Sequence, residues 1–319
     1  MGSRFTISPP RDFVLARDYC SYGYFLLWPN RWDPKSRAFS RVLDLADGPA
    51  TLAVRQEGDN GRIGSGRGRA LLIMADRGLN RAERAEATRL LARMLRLDED
   101  HGVIRGFHKA DPRYRRSGRG RLMRSPTMFE DVIKTVTSCN VTWPSTVTMN
   151  RRLCEVVGRG GAFPDARRLA RARAGTLRAR CRVGYRDARI IELSRMFASG
   201  ELDAAWFEDP ATSDDAVHDA LVELPGIGPY AAANIMQLLG RYSRLPVDTE
   251  TVRHAKLVLG FRGPTRRIMK AVHRHYAPFG THAFRSYWLE LWDFYESKRG
   301  PAWTWDRDTT GATFTASQF

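Results

Sequence analysis

The sequence predicts an α+β protein that is mainly helical, with a small antiparallel β domain in front of a two-lobed helical part. Three observations lead to this prediction. Short strand-like segments, separated by turns rich in Gly and Asp, occur before residue 76. Apolar residues at helical spacing continue from Ser125 to about residue 297. The chain of 319 residues is also longer than a single apolar core usually supports.

The N-terminal part is expected to contain four strands and one helix. The strand-like segments lie at residues 22–28, 38–45, 50–55 and 70–75, and residues 80–97 have a strongly helical pattern. We assign residues 1–105 to this β-rich domain, 106–124 to a basic connector, 125–298 to the helical domain and 299–319 to a C-terminal tail. No internal repeat is visible.

The helical part shows both periodicity and a helix-start signal. The i, i+3, i+4, i+7 spacing is present at Phe129, Val132, Ile133 and Val136. Thr127 precedes them as a candidate cap, with Glu130 three residues on. Further helices are expected near residues 189 and 268–275, and the aromatic run at 284–292 predicts a C-terminal helix packed into the core.

A Pro-Gly-Ile-Gly segment between two helical patterns predicts a helix-hairpin-helix. The first helix begins at Asp214, and Pro225 ends it because proline cannot continue the hydrogen-bond ladder. Gly226 and Gly228 permit backbone angles closed to other residues, and Pro229 suits the first turn of a second helix at 229–240. The N–H groups of such a turn can bind one phosphate, whatever the base sequence. A plain corner between two helices is the alternative.

The charge balance favours a polyanionic partner. The chain has 52 Lys and Arg against 35 Asp and Glu, a net charge of +17. An anionic membrane surface is the competing interpretation, but no apolar run is long enough to span a bilayer and the first residues lack a secretory signal. We therefore expect a soluble, intracellular protein with a polyanionic partner. Nine arginines between residues 167 and 189 are either phosphate contacts or a solvated face.

The cysteines indicate neither a metal site nor a cofactor. They are scattered, without a Cys-x-x-Cys pair, at Cys20, Cys139, Cys154 and Cys181. We expect them to be reduced in a cytosolic compartment. No cysteine follows residue 181, so the last part of the sequence cannot hold a cysteine cluster.

One carboxylate, Asp248, lies 20 residues past Gly228 in a Pro-Val-Asp-Thr context. The hairpin and this Asp together resemble the helix-hairpin-helix, Gly/Pro, Asp (HhH-GPD) signature of a DNA glycosylase superfamily. Three shorter segments are similar to elements of the 8-oxoguanine DNA glycosylases: Ser138-Cys139-Asn140, Phe163-Pro164 and Gly184-Tyr185-Arg186. The TBP-like β domain before two helical lobes also resembles the AlkA-type 3-methyladenine glycosylases. The resemblance covers roughly residues 20–295.

The chemistry of base release gives Asp248 its predicted role. Positive charge builds on C1′ and the ring oxygen as the base leaves, and an ionised carboxylate stabilises that charge and can activate the attacking water. Asp248 precedes a helix expected at 249–260, so helix-start N–H groups can hold it. The alternative is that Asp248 is only an N-cap; the two roles are compatible.

Two departures from the family pattern bear on mechanism and substrate. Bifunctional members carry a lysine two residues after the second hairpin glycine, where this chain has Tyr230. A tyrosine cannot form the Schiff base that leads to strand cleavage, so the resemblance implies a monofunctional enzyme. Relatives that recognise 8-oxoguanine often have a histidine two residues after the Asp, where this chain has Glu250. This departure weakens the assignment of 8-oxoguanine as substrate.

The predicted contacts with DNA follow from the need to extrude a base and fill the gap that it leaves. Asn140 is the candidate wedge, with a capping asparagine as the alternative. Candidates to stack on the extruded base are Tyr230, Trp143, Tyr287 and Trp288, each with a structural role as the alternative. The small residues 231–233 are expected to leave room in this pocket. The predicted DNA-binding set is Asn140, Gly226, Ile227, Gly228, Tyr230, Arg186 and Arg253.

The function predicted from the sequence and the resemblance is removal of a damaged or modified base from double-stranded DNA without strand cleavage, first of all an alkylated or oxidised purine. We expect the enzyme to be a cytoplasmic, nucleoid-associated monomer. Excision of a bulky modified base, such as a modified cytosine in foreign DNA, is the alternative within the enzyme class. A non-catalytic protein that uses the hairpin only to bind phosphate is the alternative outside it.

Overall fold

The computed structural model describes residues 2–61 and 64–311, and within them five strands form one antiparallel sheet. The strands are β1 Arg4–Ile7, β2 Asn30–Asp33, β3 Ala38–Leu45, β4 Gly48–Gln56 and β5 Leu71–Ala75. Their order in the sheet is β1-β5-β4-β3-β2. The predicted strands at 38–45, 50–55 and 70–75 are thus confirmed. The prediction of a strand at 22–28 is wrong: Gly23–Leu26 is a 3-10 turn that packs against the C-terminal helices.

Fourteen α-helices lie in the same described ranges. The first seven are α1 Leu15–Tyr19, α2 Arg81–Met94, α3 His101–Ala110, α4 Met128–Ser138, α5 Trp143–Val156, α6 Ala166–Ala170 and α7 Ala174–Ala179. The remaining seven are α8 Asp187–Ser199, α9 Ala204–Glu208, α10 Asp214–Val222, α11 Pro229–Leu239, α12 Thr249–Leu257, α13 Thr265–Tyr276 and α14 Ala283–Arg299. The structure is therefore mainly helical, as predicted. Helix α3 was not predicted and crosses residue 105, where we had placed a boundary.

Local capping explains where several helices begin. Asn80 and Glu83 form a complete capping box at the start of α2. Thr127 caps α4 by accepting a hydrogen bond from the backbone N–H of Glu130, as its position in the sequence predicted. Ser213 does the same for α10. Each cap satisfies a backbone donor that has no partner inside its own helix.

Two apolar cores define the two lobes. One core lies within α4–α11, and the other joins the N-terminal sheet and α2 to α12, α13 and α14. The chain therefore leaves the N-terminal domain, builds one helical lobe and returns to complete the second lobe on the sheet. Because α11 belongs to one lobe and α12 to the other, the connection between them crosses the interface.

Two arginines at and just after the C-terminal end of α2 tie the two lobes together. The guanidinium of Arg93 donates to Asp131 on α4 over 2.9 Å and also to Glu208 on α9. The Nη2 atom of Arg96 donates to the carbonyls of Gln237 and Leu238 at 2.6 and 2.9 Å, which satisfies the C-terminal end of α11. These hydrogen bonds fix the C-terminal end of α11, the helix whose N-terminal end follows the hairpin.

The basic connector is largely neutralised by acidic neighbours. Arg113, Arg119, Arg121 and Arg124 each pair with one or two carboxylates. Of the predicted tail, residues 299–311 pack on the N-terminal domain through Trp305, which is 1% exposed, while 312–319 lie outside the described residues. No helix in the described ranges is both long and apolar enough to cross a membrane.

Candidate functional site

The hairpin between α10 and α11 has one glycine that its geometry requires and one that it does not. Gly226 has a φ of +74°, and a Cβ there would lie 2.5 Å from Cδ of Arg189. Gly228 has a φ of −92°, open to any residue, so the prediction that it needs special backbone angles is wrong. A Cβ at Gly228 would meet nothing within 4 Å. This side of the hairpin is therefore open to an approaching ligand.

The start of α11 has the properties of an anion site. Gly228 is its N-cap and supplies no side-chain cap, and Pro229 occupies the first turn. The side chain of Ile227 is 3% exposed and anchors the turn in the core of the first lobe. The positive end of the α11 dipole thus meets an open surface, where a phosphate can bind.

Asp248 is the N-cap of α12, and its two carboxylate oxygens have different partners. Oδ1 accepts hydrogen bonds from the backbone N–H and the hydroxyl of Thr251, at 2.9 and 3.0 Å. Oδ2 accepts a hydrogen bond from the hydroxyl of Tyr230 at 3.1 Å, its one partner in the described ranges. Oδ1 is therefore occupied by the capping hydrogen bonds, whereas Oδ2 faces Tyr230 at the start of α11.

A chain of hydroxyl groups supports the carboxylate from the core side. The hydroxyls of Tyr287 and Thr251 lie 2.7 Å apart. Thr251 uses its single proton towards Asp248, so Tyr287 is the donor in this pair. Burial, followed by the charge of Asp248, raises the pKa of the phenols of both Tyr230 and Tyr287. Both phenols consequently remain neutral hydrogen-bond donors.

Aromatic residues predicted for the base pocket occupy different positions. Trp143 begins α5 half-buried, and its Cη2 atom would lie 3.2 Å from a Cβ at Gly23. Tyr287 is 3% exposed and holds Thr251. Trp288 donates from Nε1 to the carbonyl of Ser21 at 2.8 Å and stacks on its neighbours along α14. Tyr287 and Trp288 are thus held by contacts within the protein, while the hydroxyl of Tyr230 contacts the carboxylate of Asp248.

Tyr22 is a site residue that the sequence interpretation missed. Its ring centroid lies 4.6 Å from that of Trp288, and electrostatic interaction with Tyr22 is a lesser cause of the raised pKa of Tyr230, after burial and Asp248. Electrostatic interaction with Cys139, the C-cap residue of α4, is a further small cause of the same raised pKa. The only signal at Tyr22 in the sequence was an aromatic run that we assigned to a strand.

The side chain of Arg186 binds the backbone of the loop after α4. Asn140 is exposed with a φ of +53°, at the tip of this loop. The guanidinium of Arg186 is buried and donates to the carbonyls of Val136, Cys139 and Asn140. Arg186 therefore positions the candidate wedge, and the prediction that it contacts DNA is not supported by this placement.

The guanidinium of Arg253 is also hydrogen-bonded within the protein. Its Nε atom donates to Glu250 over 2.9 Å, and Glu250 accepts a further hydrogen bond from the hydroxyl of Tyr295 at 2.7 Å. The placement of Arg253 therefore does not support a direct phosphate contact. Glu250, which stands where some relatives have a histidine, is held by these two partners.

The small residues after Tyr230 do not enlarge a pocket at the carboxylate. Ala231, Ala232 and Ala233 are at most 4% exposed on the packed face of α11. On the other side of Tyr230, a crevice of about 360 Å³ lies between α11 and α13. Pro229, Ala233 and Met269 are among the residues that line it. The expectation that all three alanines leave room for a base is wrong, since Ala233 alone of the three borders open space.

Three solved structures are similar to nearly the whole chain. The 3-methyladenine DNA glycosylase from Archaeoglobus fulgidus is 16% identical over 91% of this chain and 99% of its own, with a TM-score of 0.66. The apo form of the 8-oxoguanine glycosylase/lyase from Clostridium acetobutylicum is 16% identical over 90% and 96%, with a TM-score of 0.65. MBOgg1 in complex with a low-affinity DNA ligand is 19% identical over 91% and 96%, with a TM-score of 0.64.

These similarities concern the fold. No protein-family model matches the chain, and no curated protein matches it in sequence. The chain has the fold of the 8-oxoguanine and 3-methyladenine DNA glycosylases, as the hairpin and the downstream Asp predicted. The predicted α+β class, with two helical lobes behind an antiparallel sheet, is confirmed.

Proposed function

We propose that the protein is a monofunctional DNA glycosylase, which flips a damaged or modified base out of double-stranded DNA and hydrolyses its N-glycosidic bond. The observation that carries the proposal is the carboxylate of Asp248, held at the start of α12 with Oδ2 facing Tyr230. The start of α11, with its open hairpin, is joined to this carboxylate by the Tyr230 bond. The proteins that share the fold are, by name, glycosylases for 3-methyladenine and 8-oxoguanine.

The arrangement of partners around Asp248 suits base hydrolysis. As the base departs, the carboxylate stabilises the positive charge on C1′ and the ring oxygen. Oδ1 already accepts two hydrogen bonds and Oδ2 accepts one, so Oδ2 keeps acceptor capacity for a water molecule. That water, polarised by Oδ2, would attack C1′ and leave an abasic site.

The position of Tyr230 supports hydrolysis without strand cleavage. Cleavage of the strand needs an amine that attacks C1′ and forms a Schiff base. The group next to Asp248 is a neutral phenol instead. Lys134 is fully buried and bound to Glu130, and Lys256 lies eight residues beyond Asp248, about 12 Å along α12.

An alkylated or oxidised purine is the substrate class that we propose first. The half-buried ring of Tyr230 lies beside the carboxylate, and stacking of a base on such a face is worth about 1–3 kcal/mol. The named substrates of the two relatives are a methylated and an oxidised purine. Excision of a bulkier base, such as a modified cytosine in foreign DNA, needs more room, and the buried alanines of α11 do not supply it.

A base-release screen tests the proposal. The full-length protein is incubated with duplexes that carry alkylated, oxidised or hypermodified bases, and the free base and abasic sites are quantified. We expect release from at least one purine lesion by the wild type and none by Asp248→Asn. Tight duplex binding without release from any substrate would identify a non-catalytic DNA-binding protein instead.

A further inference from the structure

Helix α13 carries a stripe of basic side chains with no counter-charge. Arg266, Lys270 and Arg274 follow one another at four-residue spacing, and all three are exposed. None of them has a carboxylate partner within the described part of the chain. The helix contains no acidic residue between Thr265 and Tyr276. The stripe is therefore an uncompensated cluster of positive charge.

The contacts of the other faces of α13 show where this stripe lies on the protein. Ile268, Val272 and Tyr276 are buried and dock α13 on the core. Met269 and His273 line the crevice of about 360 Å³ whose opposite wall is formed by Pro229 and Tyr230. At 100° per residue, the basic stripe lies on the flank next to Met269 and His273. It therefore borders the crevice beside the start of α11.

The charges of α13 oppose the stability of the helix itself. Arg266 and Arg267 stand in the first turn, where the helix dipole disfavours cations, and Pro264 provides no side-chain cap. Arg266, Lys270 and Arg274 also form like-charge pairs at i, i+4, which destabilise a helix. A solvated surface helix gains nothing from this pattern. An anionic partner that lies along the helix removes both penalties.

Several other arginines are already bound within the protein. Arg113, Arg119, Arg121 and Arg124 of the connector pair with carboxylates, and Arg178 pairs with Asp187 in the run between 167 and 189. The guanidiniums of Arg186 and Arg253 are likewise hydrogen-bonded to groups of the protein. Beside the crevice at Tyr230, Arg244 pairs with Asp215, whereas the stripe of α13 has no carboxylate partner among the described residues.

We infer that the stripe Arg266–Lys270–Arg274 is a second DNA-binding surface, which holds the phosphates of the duplex alongside the crevice at Tyr230. The inference rests on the proposed function, because it takes the duplex that carries the target base as the partner. The stripe is eight residues long, or about 12 Å. A DNA strand brings one phosphate every 3.4 Å of its axis, so about three to four phosphates pass over that length.

The salt dependence of duplex binding tests this surface. The triple variant Arg266→Gln/Lys270→Gln/Arg274→Gln is compared with wild type in binding a short undamaged duplex over a range of salt concentrations. Because each phosphate contact contributes about 0.9 to the slope of log K against log salt, we expect the slope to become shallower by about 2 to 3. Single-turnover base release at saturating enzyme should be unchanged, since the stripe does not touch Asp248.

A second triple variant controls for net charge. Arg55→Gln/Arg81→Gln/Arg89→Gln removes three exposed arginines from the N-terminal domain, and it should leave the slope at the wild-type value. An unchanged slope in the α13 variant, or an equal change in both variants, would overturn the inference. Circular dichroism verifies that both variants are folded.

The result for the surface is separate from the result for the activity. If the wild type releases bases and the α13 variant keeps the wild-type slope, the surface is refuted and the proposed function stands. If the wild type releases no base from any duplex while the α13 variant alone has a shallower slope, the proposed function fails and the surface is supported.

Discussion

The hydroxyl of Tyr230 donates a hydrogen bond to Oδ2 of Asp248 over 3.1 Å, and this bond joins the two helical lobes. Tyr230 begins α11, which packs in the first lobe, while Asp248 caps α12, which packs on the N-terminal sheet. The candidate catalytic group therefore depends on how the lobes meet. The group beside this carboxylate is a neutral phenol, which cannot form a Schiff base.

Asp248→Asn should remove most base release and leave duplex binding near the wild-type level. Asn caps a helix about as well as Asp, so the fold should be retained while the negative charge is lost. Single-turnover rates and duplex affinity measure the two effects. Asp165→Asn, at the N-cap of α6, is the matched control and should keep full activity. A rate above about a tenth of wild type, a loss of less than ~1.4 kcal/mol, would exclude Asp248 as the catalytic group.

Tyr230→Phe and Tyr230→Ala should separate the two roles of this side chain. The Phe variant keeps the ring and loses the hydrogen bond to Asp248, a bond to a charged group worth about 1.5–3 kcal/mol, so we expect base release to slow by at least about tenfold. The Ala variant also loses the stacking face and should be slower still, with undamaged-DNA affinity spared in both.

Tyr276→Phe is the control for this pair, because its hydroxyl binds Glu290 at 2.6 Å and not Asp248. Single-turnover release from a purine lesion and from uracil gives the readout. Wild-type rates in both Tyr230 variants, with efficient uracil release, would show that stacking and positioning by Tyr230 are not used.

Gly228→Ala should weaken duplex binding without destabilising the protein. Its φ of −92° accepts alanine, and the new Cβ meets no protein atom within 4 Å, so the free energy of unfolding should stay within about 0.5 kcal/mol of wild type. The methyl group would instead obstruct a phosphate at the start of α11. Gly175→Ala, at another open glycine, should change neither quantity. Unchanged affinity in Gly228→Ala would mean that no phosphate binds there.

The products of base release should be intact strands with alkali-labile abasic sites. Borohydride should trap no covalent protein–DNA adduct, because the group beside Asp248 is a phenol that cannot form an iminium. Denaturing gels with and without alkali, and with a lysine-dependent glycosylase as positive control, distinguish the outcomes. An adduct at any lysine, Lys256 included, would contradict the monofunctional assignment.

His282 should make the protein less stable as the pH falls below 6.5. Burial, with a contribution from the charge of Arg285, lowers the pKa of His282 from 6.5 to about 4. Between these values the unfolded chain binds a proton that the folded protein does not, so the free energy of unfolding decreases as pH falls from 6.5 towards 4. Above pH 6.5 this contribution is fully present.

Denaturant unfolding at pH 7 and pH 4.5 measures this effect. The decrease should be smaller in His282→Gln than in wild type, because glutamine takes up no proton. The exposed His273 provides the control substitution, and His273→Gln should show the wild-type decrease. Equal decreases in all three proteins would refute the role of His282.

Several parts of the fold could be predicted because they depend on neighbours in the sequence. The strands β3, β4 and β5, the cap at Thr127 and the helices on both sides of the hairpin follow from period, capping and breaker residues. The 3-10 turn at Gly23–Leu26 did not follow, since an aromatic run suits a strand equally well. Packing against α14 decided its conformation.

The roles of individual side chains were harder to predict, because their partners are distant in the sequence. Arg186 binds a carbonyl 46 residues away, and Trp288 binds one 267 residues away. A basic residue that finds such partners is no longer available to DNA. The unpaired stripe of α13 could be recognised only after these pairings were known.

By itself, the sequence determined the hairpin, the cap at the start of α12 and the presence of Tyr230 two residues after the second hairpin glycine. All three are local properties of a few consecutive residues. Only the tertiary structure decided that Oδ2 of Asp248 faces Tyr230, that Tyr22 and Tyr287 stand behind them, and which arginines remain unpaired. The reason is that the site forms where two separate cores meet, and the packing of each core sets the orientation of the helices that end there.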